Sequence, residues 1–279
     1  MPDYRQRILE HGRLLTLPEV YLRLQQVLSR DDFSMQEVSE VIQYDPAITA
    51  RLLNLVRSAY LGLGPRIDTI SHAVNYLGAQ SIHDLVLTTV LADRFGDIRN
   101  EQFNLQDFWL RSLRTALFTR ALAQRALADQ AERLFVAGLI HDLGYLMMQQ
   151  AIPEMLEASQ SLPLEQRLEA ERQRLGFDSH EVSLDLFENW QLPDSLVRVL
   201  AARRNPAEAG DSAQSAALLA LASHLADSVA SDVDAGDLPV DEDIRELAGL
   251  GEDDPAEAIA EAEQELGGAM RLLFPHLVG

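Results

Sequence analysis

The chain has 279 residues, enough to bury one large core or two moderate ones, and 47% of them are hydrophobic, which makes it globular rather than disordered. It has no cysteine, and all 23 basic residues are arginine, so thiolate catalysis, disulfides, cysteine-ligated metal centres, Schiff-base chemistry and a P-loop lysine are all excluded. The formal net charge of −21 opposes a sequence-independent grip on nucleic acid and docking on an anionic membrane, so no nucleic-acid and no membrane partner is expected.

The opening Met1-Pro-Asp-Tyr-Arg-Gln-Arg leads into no apolar segment of signal-peptide type, and no run approaches transmembrane length. A soluble, cytoplasmic protein is the expectation. Ser34-Met-Gln-Glu37 is a capping-box pattern, opening a helix whose Val38, Val41 and Ile42 share a face. Asp45-Pro46 reads as an N-cap followed by proline in the first turn, ahead of Ile48, Leu52, Leu53 and Val56 at core spacing. Leu61-Gly-Leu-Gly-Pro65 ends that helix. Ser71 is placed to cap a short helix closed by Gly78, and a second apolar helix runs from Ser81 to Leu91 and stops at Phe95-Gly96.

The polar stretch after Gly96 carries no period and is read as a domain boundary. Two long helical patterns follow, at 105–128 and 131–148, then an amphipathic stretch at 163–175. Gly176-Phe-Asp-Ser precedes a helix through Trp190, and another begins at Pro193-Asp194, reaches Arg203-Arg204 and is closed by Pro206. Ala213 to Val229 is helical, and the acidic end of the chain keeps apolar faces at Ile244, Leu247, Ile259 and Leu266. With no internal repeat and no strand pattern, the fold class is all-α. Three segments are drawn: 1–98 as an N-terminal helical bundle, 99–232 as a second helical core, and 233–279 as an acidic helical extension.

The chemistry-bearing feature is His141-Asp142, two metal-ligand types set within an apolar run read as helical. Consecutive helical residues lie about 100° apart, so the pair alone cannot close a metal site, which needs at least four ligands. Of the other histidines, His180 stands out because it follows a helix start at Asp178-Ser179. His72 and His83 read as surface or capping residues, and His11, His224 and His276 have no distinguishing context.

The stretch from Leu17 through Tyr60, with Val38-Ser-Glu-Val-Ile-Gln-Tyr-Asp-Pro at its centre, resembles the opening of an HDOD domain, as does Ile70-Ser-His-Ala-Val-Asn-Tyr-Leu-Gly. The similarity continues through Phe108-Trp-Leu-Arg-Ser, Phe135-Val-Ala-Gly-Leu-Ile-His-Asp-Leu-Gly, Gly176-Phe-Asp-Ser-His-Glu-Val and Asn189-Trp-Gln-Leu-Pro, and so spans residues 14–230 in order. The resemblance implies an all-helical relative of the metal-dependent HD and HD-GYP phosphohydrolases, acting as a non-catalytic regulatory module in bacteria. It also implies a degenerate HD-like core for the second segment.

Set beside the catalytic relatives, the first ligand histidine falls on Arg111, the lysine beyond the His-Asp pair on Tyr145, and the paired histidines on Arg203-Arg204. The final aspartate falls near Ala222-Ser223, with Asp227 one turn away. His141, Asp142 and His180 remain as vestigial ligand positions, so no catalytic residue, no metal and no cofactor is expected. Like unit charges about 4 Å apart cost about 4 kcal/mol at an effective dielectric of 20, enough to weaken cation binding beside a guanidinium.

If Asp142 is buried it needs a partner, and Arg111 is the expected one. Arg111, Arg203 and Arg204 are further read as candidates for an anion pocket, against the simpler reading that Arg203-Arg204 meets a helix C-terminus. The leading functional expectation is a binding module in signal transduction, with signalling proteins as partners. The alternative is a metal-dependent phosphohydrolase acting on a nucleotide or cyclic dinucleotide; a third reading, nucleic-acid binding, has only Arg203-Arg204 in its favour.

Overall fold

The structure, a computed structural model, describes residues 4–14, 17–57, 67–96, 103–159, 162–230 and 240–278. Among these the chain is helical, with no strand, and no helix is long and apolar enough to cross a membrane. Two compact units are formed, one from residues 17–98 and 264–279 and the other from 1–16 and 99–263. Residues 1–16 group with the later segment, and the acidic C-terminal stretch is divided between the units.

The first of these units contains α2 (Glu19–Leu28), α3 (Met35–Gln43), α4 (Pro46–Arg57) and α5 (Ile70–Gly96). The expected capping box is present: Glu37 N donates to Ser34 Oγ at 3.1 Å while Ser34 N donates to Glu37 Oε2 at 2.8 Å. Asp45 Oδ1 accepts from Ala47 N and Ile48 N, satisfying two of the orphan donors that open α4. The Leu61-to-Pro65 terminator lies outside the described residues. α5 is two helical runs joined at Gly78, where φ of 81° and ψ of 159° suit only glycine. Its cap is Thr69, whose Oγ1 accepts from His72 N at 3.1 Å; Ser71, the residue expected from sequence, lies inside the helix instead.

His83 is a second correction. It is buried, with its Nδ1 3.3 Å from Asp84 Oδ1 and its ring 4.8 Å from that of Tyr21. Burial and the neighbouring Asp84 carboxylate push the Tyr21 phenol well above its ordinary range.

The other unit contains α1 (Tyr4–Leu14), α6 (Leu105–Ala126), α7 (Ala131–Ile140), α8 (Leu143–Ala151), α9 (Pro153–Leu156), α10 (Leu164–Leu175), α11 (Ser179–Asn189), α12 (Asp194–Ala202), α13 (Ala213–Ala230) and α14 (Glu242–Leu247). It also holds the first half of α15 (Asp254–Leu273). α6, α7 and α13 pack mutually, burying Trp109, Leu113, Phe118, Phe135 and Leu218. α8 packs on α11, and α1 packs on both. The single helix read over 131–148 is broken at His141-Asp142: His141 closes α7, and Asp142, at φ −121° and ψ 18°, opens α8.

Two glycines let the helices around that break come close. A Cβ on Gly138 would sit 2.6 Å from Ala116 Cα of α6, and one on Gly144 would overlap Ser179 O of α11. Gly144 N donates to Ser183 Oγ, which in turn donates to Ser179 O, so α8 and α11 are joined backbone to side chain. Gly176, by contrast, closes α10 in the left-handed region at φ 83°, and the space a Cβ would fill there is open to 4 Å. Gly176→Ala is therefore expected to cost about 1–2 kcal/mol through its backbone alone. Gly144→Ala, which forces two backbones apart, is expected to cost about 3 kcal/mol or more. Urea denaturation of the two variants checks the order; an equal or reversed order would contradict the close approach.

Candidate functional site: the His141-Asp142 centre

The break between α7 and α8 turns His141 and Asp142 inward, and both are buried. His141 Nδ1 lies 2.7 Å from Gly138 O. Only a protonated Nδ1 can donate to a carbonyl, so the neutral ring keeps its lone pair on Nε2. Burial pushes this imidazole down to about 4, with Arg203 acting in the same direction and Asp142 against it.

Asp142 is not paired with Arg111. Its partner is Arg167 of α10, which sequence reasoning missed: Arg167 Nη2 donates to both carboxylate oxygens of Asp142 at 2.6 Å. Arg167 is only 2% exposed. Its guanidinium lies over the Tyr145 ring, 3.7 Å from the centroid, and its Nε is 3.3 Å from Glu171 Oε1. Burial pushes the Asp142 carboxyl up, but Arg167, His141 and Arg111 together hold it below its ordinary value. Glu171 is raised by burial, although its Oε2 accepts from Ser179 N at 2.7 Å.

Arg111 instead meets Asp227 of α13, donating through Nε to Oδ1 at 2.6 Å with Nη2 at 2.5 Å from the same oxygen. The other oxygen, Oδ2, accepts from Leu164 N at the start of α10, at 3.4 Å. So Asp227, the sequence's secondary candidate, is the acid brought to Arg111. Ser223 is buried, and among the described residues its Oγ has no hydrogen-bond partner.

His180 lies in the first turn of α11, which is capped by Asp178 through Glu181 N at 2.9 Å. Burial pushes His180 down to about 4, with Arg203 reinforcing the effect and a backbone contact at Ala201 opposing it. Arg203 and Arg204 separate. Arg204 is exposed and ties Asp178 Oδ2 to Glu165 at 3.2 and 3.4 Å. Arg203 is buried; among the described residues its Nε lacks a hydrogen-bond partner, and the Glu165 carboxylate is 3.8 Å from its Nη1. Burial lowers its pKa. The three arginines read as one anion pocket therefore have different environments.

The donor set does not fit a binuclear metal centre. Both oxygens of Asp142 are occupied by Arg167, and Asp227 is engaged by Arg111, a permanent cation. Among the described residues, no three His, Asp or Glu side chains converge as a metal-holding group. Arg167 was legible in one respect: with Leu164, Leu168 and Glu171 it falls on the inward face of an amphipathic helix, where arginine and glutamate are out of place.

Comparison with known proteins agrees with this architecture. The HDOD domain family matches residues 14–206, and the chain belongs to that family. An uncharacterized protein of Treponema pallidum (strain Nichols) is 28% identical over 197 residues, covering 68% of this chain but only 37% of that protein. Among solved structures, a candidate phosphohydrolase of Shewanella amazonensis SB2B is similar at 26% identity and a TM-score of 0.71, covering 96% of this chain and 97% of that one. An HDOD domain protein of unknown function from Geobacter sulfurreducens has a TM-score of 0.72 at 22% identity, over 98% and 99% of the two chains. A protein of Marinobacter aquaeolei VT8, named for a role in signal transduction, has a TM-score of 0.69 at 22% identity over 92% and 58%. At 22% identity the likeness is one of fold.

Removing one member of a buried ion pair strands the other charge. Arg167→Met is expected to cost about 3–5 kcal/mol, whereas Arg203→Met, which removes a cation whose ion pair with exposed Glu165 is long at 3.8 Å, is expected to stay within about 1 kcal/mol or to stabilise. Chemical denaturation distinguishes these, and equal losses would contradict the pairing described.

The two imidazoles set a pH dependence. Their folded values, about 4, lie below an unfolded value of about 6.5, so their contribution is complete above pH ~6.5 and is lost as pH falls toward ~4. The raised Glu171 acts in the opposite sense, favouring the folded state at low pH. A net loss of a few kcal/mol across this window, reduced in a His141→Asn, His180→Asn double variant, is the expected result of denaturation at stepped pH.

Proposed function

We propose that this HDOD protein is a non-catalytic regulatory module that acts by binding, in a bacterial, cytoplasmic signalling setting. The single observation that supports this reading is the engagement of the centre's acids by guanidiniums, Asp142 by Arg167 and Asp227 by Arg111. Catalytic relatives would need those oxygens for cations. A delocalised, fixed charge holds the helices in the arrangement that a metal would otherwise organise, but it cannot lower the pKa of a bound water or act as a Lewis acid. The net charge of −21 further supports partners other than nucleic acid and anionic membranes. The partners proposed are signalling proteins.

A second reading, a metal-dependent phosphohydrolase, is favoured by one feature. His141 is held neutral with its Nε2 lone pair available, the form a metal ligand takes. The Shewanella neighbour's name points the same way.

Metal analysis of the purified protein, with hydrolysis of bis-p-nitrophenyl phosphate in added Mn²⁺, Fe²⁺ or Zn²⁺, separates the two. No stoichiometric metal and no metal-dependent turnover are expected. Turnover abolished by His141→Ala would overturn the proposal.

A further inference from the structure

Beside the buried centre, in the unit formed by residues 1–16 and 99–263, lies an open cleft of about 690 Å³ between α6, α8, α10 and the end of α13. We propose that this cleft binds a small organic anion: a phosphate or carboxylate attached to a planar ring. The proposal rests on the binding-module reading above and deepens it by assigning a site and a ligand class.

The first support is charge. Arg111, Arg114 and Arg167 line the cleft, and among the described residues Asp107 is the one acid on its wall. The carboxylates that pair with these arginines, Asp227, Glu263 and Asp142, are not part of the lining. The cleft therefore presents guanidinium, on a chain whose net charge is −21. Asp107 opposes an anion, but it sits in the first turn of α6 and accepts from Asn104 Nδ2 at 2.6 Å, so its charge is partly met by the helix dipole and that amide.

The second support is unused donor capacity. Arg111 and Arg114 are three residues apart on α6, so their side chains are neighbours on one face. Each binds its carboxylate through Nε and Nη2: Arg111 to Asp227, and Arg114 to Glu263 at 2.6 and 3.4 Å. Among the described residues Nη1 of each has no partner. A guanidinium fixed along one edge by a carboxylate is already oriented, so a second acceptor recruits the other edge at little cost in side-chain entropy. Two such edges one turn apart match the multiple oxygens of a phosphate or carboxylate.

The third support is the apolar wall. Phe103 lies 5.9 Å from both Phe108 and Tyr145, ring centre to ring centre, in tilted and edge-on contacts. Tyr145 is braced by Arg167 on its ring face. Aromatic surface adjoining fixed polar donors, in a cavity of this size, is the composition of a small-molecule site and suits a planar ring rather than a bare ion.

The probes are phenyl phosphate, inorganic phosphate and phenol, titrated calorimetrically into the intact chain. Phenyl phosphate is expected to bind saturably and about tenfold or more tighter than inorganic phosphate, with phenol giving no saturable heat. Arg114→Gln is expected to weaken phenyl phosphate about tenfold or more. Phe103→Ala is expected to reduce it to the level of inorganic phosphate. Arg125→Gln controls for loosening of α15, because Arg125 pairs with Asp254, Glu257 and Glu261 of that helix without lining the cleft; its affinity is expected to match the parent. Absence of saturable phenyl phosphate binding, a preference for inorganic phosphate, or equal losses in the Arg114 and Arg125 variants would overturn the site. None of these outcomes involves metal uptake or hydrolysis, so failure of the cleft and failure of the non-catalytic reading are told apart.

Discussion

The later unit is organised around the buried ion pair between Asp142 and Arg167. Asp142 sits at a break between two helices, where no side-chain cap uses its oxygens, and a carboxylate so enclosed is tolerated only with a cation beside it. Arg167 supplies that cation from α10 and is itself held between the Tyr145 ring and Glu171. Glu171 then reaches Ser179 N at the start of α11, so one chain of charge and hydrogen bonds ties α7–α8, α10 and α11 together. Such an arrangement is demanding: every member must be present, because each removal exposes a charge with no water to replace its partner.

The same chemistry recurs one helix away. Arg111 of α6 binds Asp227 of α13, and Asp227 also accepts from the first amide of α10. The centre thus sets a protein cation against each of two acids. A guanidinium differs from a metal ion in offering fixed, planar donors and no open coordination position. The centre can hold helices together and present N–H groups to a ligand. Its capacity for hydrolytic chemistry would have to come from His141 Nε2 and groups yet to be engaged.

Much of the fold was legible from local signals. The capping box at Ser34, the Asp45-Pro46 start and the Gly78 break each depend on interactions within a few residues, and each is found. The errors had physical causes. Ser71 and Thr69 are both competent caps, and propensity alone does not choose between hydroxyls two residues apart. His83 looked superficial because a histidine beside a helix start carries no sign of the buried Tyr21 it will meet. The run over 131–148 gave no hint of a break, since His141 and Asp142 turn inward only because Gly138 and Gly144 allow α6 and α11 to approach.

The sequence by itself determined the all-helical class and the family, and it singled out His141, Asp142 and His180 as the residues to look at. These are matters of periodicity and of order along the chain, which local interactions and shared ancestry record. Which acid meets which arginine was decided only in three dimensions. Asp142 took Arg167, 25 residues away, and Arg111 took Asp227, 116 residues away. Charge attraction has no address in sequence; a buried carboxylate takes whichever guanidinium the packing of glycine-notched helices delivers within hydrogen-bond reach.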